Sequence, residues 1–198
     1  MTRMAFIRHG ITAWNKAGRA QGKSDIPLDS EGILQAEKLA HHLKDDNWDM
    51  IFSSDLKRAI QTAEAIQHQL SPIPLQTDAR LREVDGGEIE GTTLEERVAE
   101  WGHAWRDLDL GMETNEKVLQ RAFSFLYDMI ERHEGQNILV ASHGSFIKRL
   151  LRKLFPDMNM DVSLGNCSLT IIKNENGRWE LEVHNCTQHL RQINEPVE

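Results

Sequence analysis

Three short stretches place histidine, arginine, serine and glycine where apolar runs end. Arg8-His9-Gly10 follows Met4-Ala5-Phe6-Ile7, Ser53-Ser54 follows Asp49 to Phe52 with Arg58 one turn later, and Ser142-His143-Gly144 follows Asn137 to Ala141. Each apolar run reads as a buried strand and each polar tip as its carboxyl end. In open parallel α/β sheets, ligands bind beyond those ends, where helix N-termini present unpaired N–H groups and a positive dipole end. Neighbouring strands would therefore gather Arg8, Arg58, His9 and His143, a glycine beside each histidine, and a helix N-terminus. That set suits a phosphoryl group. Taken singly, a histidine at a strand tip is most often a hydrogen-bonded core residue, and a first-turn arginine a solvated charge. Repetition on separate strands is what favours a shared anion site.

The surrounding pattern supplies the elements that must hold these tips. A polar, glycine-containing loop runs from Gly10 to about Asp29. From Ser30 to Asp45, Ile33, Leu34, Leu39 and Leu43 fall near helical spacing, with Asp29 or Ser30 as cap. Leu56, Ala59, Ile60, Ala63, Ile66 and Leu70 keep a helical period until Pro72 and Pro74. An extended segment through Leu75 then leads to Leu81-Arg82-Glu83 and the turn at Asp85-Gly86-Gly87. Helices are expected over about Thr93 to Leu108, with Trp101 and Trp105 one turn apart, and over Asn115 to Arg132, with Val118, Ala122, Phe125 and Met129 inward. Phe146 to Leu154 continues the pattern, with Pro156 beyond it. Cys167 to Lys173 and Trp179 to His184 flank Asn174-Glu175-Asn176-Gly177, a hairpin signal, and the last dozen residues read as a loose tail. With no internal repeat and no linker, residues 1–198 are expected to form one α/β domain.

Composition narrows the function further. The 198 residues carry 23 basic and 31 acidic side chains, a net charge of −8, with 39% hydrophobic and 27% charged residues, which excludes disorder, collagen and coiled coil. No stretch approaches the roughly eighteen apolar residues of a membrane span, and no targeting segment is evident, so a cytoplasmic protein is expected. Two cysteines, Cys167 and Cys186, are too few for a disulfide scaffold and read as reduced, buried thiols. The acidic balance argues against nucleic acid or an anionic membrane as partner. Any anionic ligand must be held by a local basic cluster.

Arg8-His9-Gly10-Ile11-Thr12-Ala13-Trp14-Asn15 resembles the opening signature of the histidine phosphatase superfamily, phosphoglycerate mutase-like branch. Gln21-Gly22 with Asp25, Pro27-Leu28 and Gly32 resembles the segment that follows there, Ser53 to Ala59 the second block, Leu81-Arg82-Glu83 through Glu90-Gly91 the third, and Ser142-His143-Gly144 the fourth. The resemblance implies a three-layer α/β/α sandwich with a mostly parallel sheet and one antiparallel edge strand. It also implies His9 as nucleophile, Arg8, Arg58 and His143 as phosphate clamp, and Glu83 as proton donor. Asn15, Gln21, Gly22 and Gly144 would line the entrance and contact phosphate or substrate. The segment of about 85–114 would be a lid that selects substrate, and Trp101 and Trp105 would pack within it. Ile89 and Gly111-Met112-Glu113-Thr114 depart from the common pattern there, where an aromatic residue and Gly-Gly-Glu-Ser are frequent.

These roles are chemically coherent. A neutral imidazole is a competent nucleophile near pH 7, and a phosphohistidine divides one slow hydrolysis into two easier steps. Its other ring nitrogen needs an acceptor, such as a backbone carbonyl, to fix the tautomer. Guanidinium groups and a second histidine can stabilise the charge on the transferring oxygens without a metal or cofactor. Expelling an alkoxide needs a proton, which a carboxylic acid can give and later recover from water. The substrate class is small phosphorylated metabolites, and the chain is expected to be a monomer or homodimer. Two alternatives remain: a cofactor-dependent phosphoglycerate mutase, which the short chain disfavours, and a non-catalytic phosphate-binding module. Glu88, Glu90, Glu95 and Glu96 read as a solvated acidic face. His184, Cys186 and His189 lack ligand spacing, so no metal site is expected.

Overall fold

The computed structural model describes residues 1–70 and 72–191, and most of the expected tail lies outside them. Its centre is a six-stranded sheet in the order β3-β2-β4-β1-β5-β6. The strands are β1 (Thr2–Arg8), β2 (Met50–Ser53), β3 (Leu75–Thr77), β4 (Asn137–Ser142), β5 (Leu169–Glu175) and β6 (Arg178–Cys186). The first four are parallel, β5 pairs antiparallel with β1, and β6 returns along β5. The strand that opposes the rest thus lies one place inside the edge, covered by its hairpin partner. The hairpin closes at Asn176 (φ 51°) and Gly177 (φ 82°), both left-handed as the Asn-Gly signal requires.

Strand alternation builds the three layers. Met4, Phe6, Met50, Phe52, Ile138 and Val140 point to one face and pack against α5 (Asn115–Arg132) and α6 (Gly144–Leu154). Ala5, Ile7, Ile51, Leu139 and Ala141 point to the other and meet α2 (Ser30–Leu43) and α3 (Lys57–Leu70). Burying one Leu or Ile side chain contributes about 1.5–3 kcal/mol, so these two apolar layers dominate the stability.

Three helical expectations need correction. In α2 the Asp29 side chain accepts from the Gly32 N–H at 2.8 Å, as a cap should. The buried stripe, however, is Ala36, Leu39, Ala40 and Leu43, while Ile33 and Leu34 are exposed. The first turn instead faces the loop after β1, where a Cβ on Gly32 would lie 2.1 Å from the Ile11 carbonyl oxygen. The loop itself contains a short helix, α1 (Ala13–Lys16), started by a capping box between Thr12 and Asn15. Finally, the helix expected from Thr93 to Leu108 is interrupted: α4 (Leu94–Trp101) stops at Gly102 (φ 77°), and Trp105–Asp107 form a separate 3₁₀ turn. Trp105 is buried with the Arg97 and Arg106 guanidinium groups over its ring, whereas Trp101 is half-buried. A last short helix, α7 (Gln188–Arg191), lies against α2.

Candidate active site

Strand order brings the three polar tips together. β4 lies between β1 and β2, with Arg8 opposite Ser142 and Ser53 opposite Ala141, so the ends are level. His9 continues the ladder, its N–H donating to the Ser142 carbonyl at 3.0 Å. The His9 and His143 ring centres are 5.2 Å apart.

The His9 side chain is buried and its Nδ1 lies 2.7 Å from the Gly10 carbonyl oxygen. A carbonyl only accepts, so Nδ1 carries the hydrogen and the lone pair belongs to Nε2. Burial, then the Arg58 and Arg8 charges, hold the His9 pKa well below its ordinary value, so the ring is neutral around pH 7. The Gly10 peptide is fixed in turn by a 3.1 Å bond from its N–H to Thr62 Oγ1, and Thr62 donates to the Arg58 carbonyl at 2.8 Å. Gly10 also has no room for a side chain, since its Cβ would come 2.5 Å from the Gly32 carbonyl oxygen.

Arg58 is fully buried near the start of α3, yet no carboxylate among the described residues pairs with it directly. Its Nη1 donates to the Ser24 carbonyl at 2.7 Å and its Nη2 to the Gly22 carbonyl at 2.8 Å. Burial brings its pKa down to about 10, still fully charged near neutrality. Arg8 donates Nη1 to the Leu164 carbonyl, and its Nε passes so close to α6 that a Cβ on Gly144 would sit 3.2 Å away. The Nε groups of both arginines are buried without a partner among the described residues. Isolated buried charge costs several kcal/mol, so such a cluster is expected where an anion repays it.

His143 is also buried, and burial followed by the Arg58 charge holds its pKa well below the usual range. Its Nε2 lies 2.8 Å from Ser54 Oγ, which itself accepts from the Leu56 N–H at 3.3 Å. Ser54 can therefore give its proton to Nε2, leaving Nδ1–H as a further unpartnered donor. Glu83 lies at the start of the helix that follows His143. Its carboxylate accepts from the N–H groups of Val84 (2.9 Å), Ser145 (3.1 Å) and Phe146 (2.9 Å), which seats it on the first turn of α6. Its charge acts on both Arg8 and Arg58.

The entrance residues are less uniform. Asn15 Oδ1 accepts from the Thr12 N–H and hydroxyl, both at 3.1 Å, and from Asn166 Nδ2 at 3.3 Å, so it mainly shapes the loop. Asn166 also donates to the His9 carbonyl at 3.0 Å, a link invisible in the sequence because it spans most of the chain. Gln21 is buried with its Oε1 unpartnered. Gly22 (φ 50°) carries one of the carbonyls that hold Arg58.

Glu90 corrects the expectation of a solvated acidic face. It accepts from the Lys23, Ser24 and Gly86 N–H groups at 2.8–3.0 Å and from the Ser24 hydroxyl at 2.6 Å, fastening residues 22–24 to the third block. Glu88, Glu95 and Glu96 are exposed as expected, although Glu96 pairs with Arg19. His189 turns away from any cluster: it is buried, bonds the Cys167 carbonyl at 3.0 Å and stacks on His42. Cys167 is buried and its thiol pKa is pushed up to about 12, whereas Cys186 is half-buried. Among the described residues, no three His, Cys, Asp or Glu side chains form a metal-holding group, and no helix is long and apolar enough to cross a membrane.

Comparison with known proteins places this geometry in a family. The family model for the histidine phosphatase superfamily (branch 1) matches residues 4–187. The uncharacterized phosphatase PhoE of Bacillus subtilis (strain 168) is 33% identical over 193 residues, 96% of this chain and 97% of that protein. The probable phosphoglycerate mutase GpmB of Proteus mirabilis (strain HI4320) is 32% identical over 191 residues, 90% of this chain and 88% of that one. Among solved structures, Bacillus stearothermophilus YhfR superposes with a TM-score of 0.88 at 30% identity, covering 96% of this chain and 100% of that one. With near full-length matches in sequence and in structure, the chain belongs to the histidine phosphatase superfamily, branch 1.

Proposed function

We propose that the chain is a phosphomonoester hydrolase working through a phosphohistidine at His9. The observation that carries this reading is the pairing of a tautomer-locked, neutral His9 with buried arginine N–H groups that have no partner among the described residues. The phosphoryl oxygens take the Nε groups of Arg8 and Arg58 and the Nδ1–H of His143 as donors. His9 Nε2 attacks phosphorus, the bond from phosphorus to the ester oxygen breaks, and protonated Glu83 gives its proton to the leaving alkoxide. In the second step the Glu83 carboxylate takes a proton from water, the water oxygen attacks phosphorus and the P–N bond breaks. Inorganic phosphate leaves and His9 is again neutral. The fixed cations supply the electrostatic stabilisation throughout.

We further infer that residues 85–114 form a lid within a single domain of 1–198. The Ala20 and Gly91 backbones are hydrogen-bonded to this segment and the first loop respectively, and Glu90 adds its clasp, which supports a lid hinged on the phosphate-binding loop. Two unpaired cysteines suit a reducing compartment, and we place the reaction in the cytoplasm.

The deciding experiment quenches the protein during turnover of a labelled phosphomonoester. An acid-labile, alkali-stable phosphoryl adduct on His9 is expected, absent from His9→Ala; brisk hydrolysis without an adduct overturns the mechanism. A mutase is the second reading, favoured by the similarity to GpmB at nearly the same identity as to PhoE. Phosphate release faster than interconversion of 3- and 2-phosphoglycerate is expected, and the opposite order would establish the mutase.

A further inference from the structure

Between the 3₁₀ turn at Ala79–Leu81 and Gly86, the stretch that carries Glu83 has no regular secondary structure, so its carbonyls must find partners elsewhere. Four consecutive ones do. On α5, Arg121 donates from Nη1 to the carbonyls of Arg80 (2.7 Å) and Arg82 (2.6 Å) and from Nη2 to that of Glu83 (3.2 Å). The Ser142 hydroxyl, at the tip of β4, takes the Leu81 carbonyl between them at 2.8 Å.

The other Arg121 donors go to Glu113, Nε to Oε1 at 2.9 Å and Nη2 to Oε2 at 3.0 Å. These five bonds match the five N–H groups of a guanidinium, so none is left over. Glu113 carries the grip past Glu83: its Oε2 accepts from the Asp85 N–H at 3.3 Å, and its own N–H donates to the Asp85 carbonyl at 2.9 Å. The pair is well shielded, with side chains 17% and 16% exposed, and Arg121 sits beside the buried Val118 and Ala122 of α5.

Arg121 also meets the element that receives the Glu83 carboxylate. Its guanidinium lies 4.8 Å from the centre of the Phe146 ring, and Phe146 gives its N–H to Glu83. One side chain therefore touches both the backbone that carries Glu83 and the helical turn that seats its carboxylate. Glu83, Glu113 and Arg121 line the same cleft of about 360 Å³, but spare donors separate Arg121 from the phosphate-facing arginines. Arg8 and Arg58 keep buried Nε groups without partners among the described residues, whereas every Arg121 donor is engaged. A saturated planar fork suits a brace and leaves nothing for a phosphoryl oxygen.

Resting on the hydrolase reading, we propose that Arg121, locked by Glu113, is a positioning residue that holds residues 80–85 so that the Glu83 carboxyl stays at the leaving oxygen. Proton transfer requires hydrogen-bond reach in the transition state, and a misplacement of about 1 Å costs up to about 10²-fold. Methionine at 121 would keep the length without donors, and lysine would keep the charge with three donors on one nitrogen, too few and too close together for this fork.

The test is a double-mutant cycle on the full chain, with glycerol 3-phosphate as alkyl ester and vanadate as phosphoryl mimic. Arg121→Met is expected to lower kcat/KM by about tenfold or more on its own, but by less than about twofold in the Glu83→Gln background, where no proton remains to be positioned. Arg121→Lys should recover part of the loss, and Glu113→Gln should follow the same pattern at smaller size. The vanadate dissociation constant, set in this reading by Arg8, Arg58 and His143, should move by less than about twofold in each. Should Arg121→Met fail to fold, Arg121→Lys and Glu113→Gln carry the same cycle. An unchanged kcat/KM, losses that multiply in the double variant, or vanadate affinity that falls in step with turnover overturns the inference. Labelling of His9 in the unaltered protein keeps the hydrolase reading standing through any of those results. Absence of ester cleavage and of any adduct removes both.

Discussion

Among individual residues, Glu83 offers the sharpest separation of chemical steps, because a proton on the leaving oxygen matters only when that oxygen is strongly basic. Glu83→Gln keeps the shape and retains an oxygen that can accept from α6, but removes the transferable proton. Cleavage of an alkyl phosphate should fall by about 10²–10⁴. With para-nitrophenyl phosphate, whose phenolate leaves unaided, His9 should still be phosphorylated. The slow step then becomes water attack, which also needs Glu83 as base. Rapid-mixing absorbance should record a burst of about one nitrophenolate per protein followed by slow turnover. Equal losses on both esters without a burst would remove Glu83 from the proton-transfer role. Of the groups at this site, the two histidines and two arginines were legible because each occupies a strand tip or the helix start after one. Glu83 lies in an irregular stretch, and only family resemblance singled it out. Ser54, Thr62 and Asn166 act on their partners through contacts that chain spacing does not encode.

At the level of elements, the proposed anion site depends on a loop whose carbonyls grip Arg58. Gly22 and Ser24 provide those carbonyls, and Glu90 holds the loop by three donors, the Lys23 and Ser24 N–H groups and the Ser24 hydroxyl. Glu90→Gln retains one accepting oxygen and leaves part of this set unsatisfied, a loss of about 1–3 kcal/mol. Arg58 then loses its fixed aim, and the dissociation constant of vanadate, measured by competition, should rise by about tenfold or more. Gly22→Ala should act through the same contact, because its Cβ would lie 1.9 Å from Glu90 Oε1 and its φ of 50° is left-handed. Destabilisation in urea should accompany weaker vanadate binding in both variants. The elements themselves were readable where periodicity was long, as in α3 and α5, or where turn chemistry was explicit, as at Asn176-Gly177. They were misread where tertiary contacts prevailed: Gly102 divides the Trp101–Trp105 stretch, and the start of α2 faces the active-site loop rather than the core. The α1 capping box was present in the sequence as Thr12 and Asn15, but a four-residue helix carries too little periodicity to stand out.

For the molecule as a whole, keeping histidines buried and neutral couples stability to pH. Burial, aided by neighbouring arginines, depresses the pKa of His9 and His143 in the folded chain, and burial brings that of His189 down to about 4. Once unfolded, all three take up protons near 6.5. Below that value the unfolded chain binds more protons than the folded one, so stability must fall as pH falls through the unfolded pKa and continue falling until the folded pKa is reached. Each such histidine contributes a slope of up to about 1.4 kcal/mol per pH unit. For His189 the window closes at about pH 4. Carboxylates such as Asp29 and Asp55, whose pKa values are depressed by Lys16 and Arg82, lose their contribution at lower pH, below the ordinary carboxylate range. Urea unfolding at about pH 7.5, 6.5 and 5.5 should therefore show a decline arising mainly from histidine, and His189→Asn should flatten it without changing the vanadate affinity. Vanadate binding to the buried arginines should oppose the decline, adding about 2.7 kcal/mol at a hundred times its dissociation constant. A stability that is flat over this range, or unaffected by His189→Asn, would mean that these imidazoles gain their protons without unfolding.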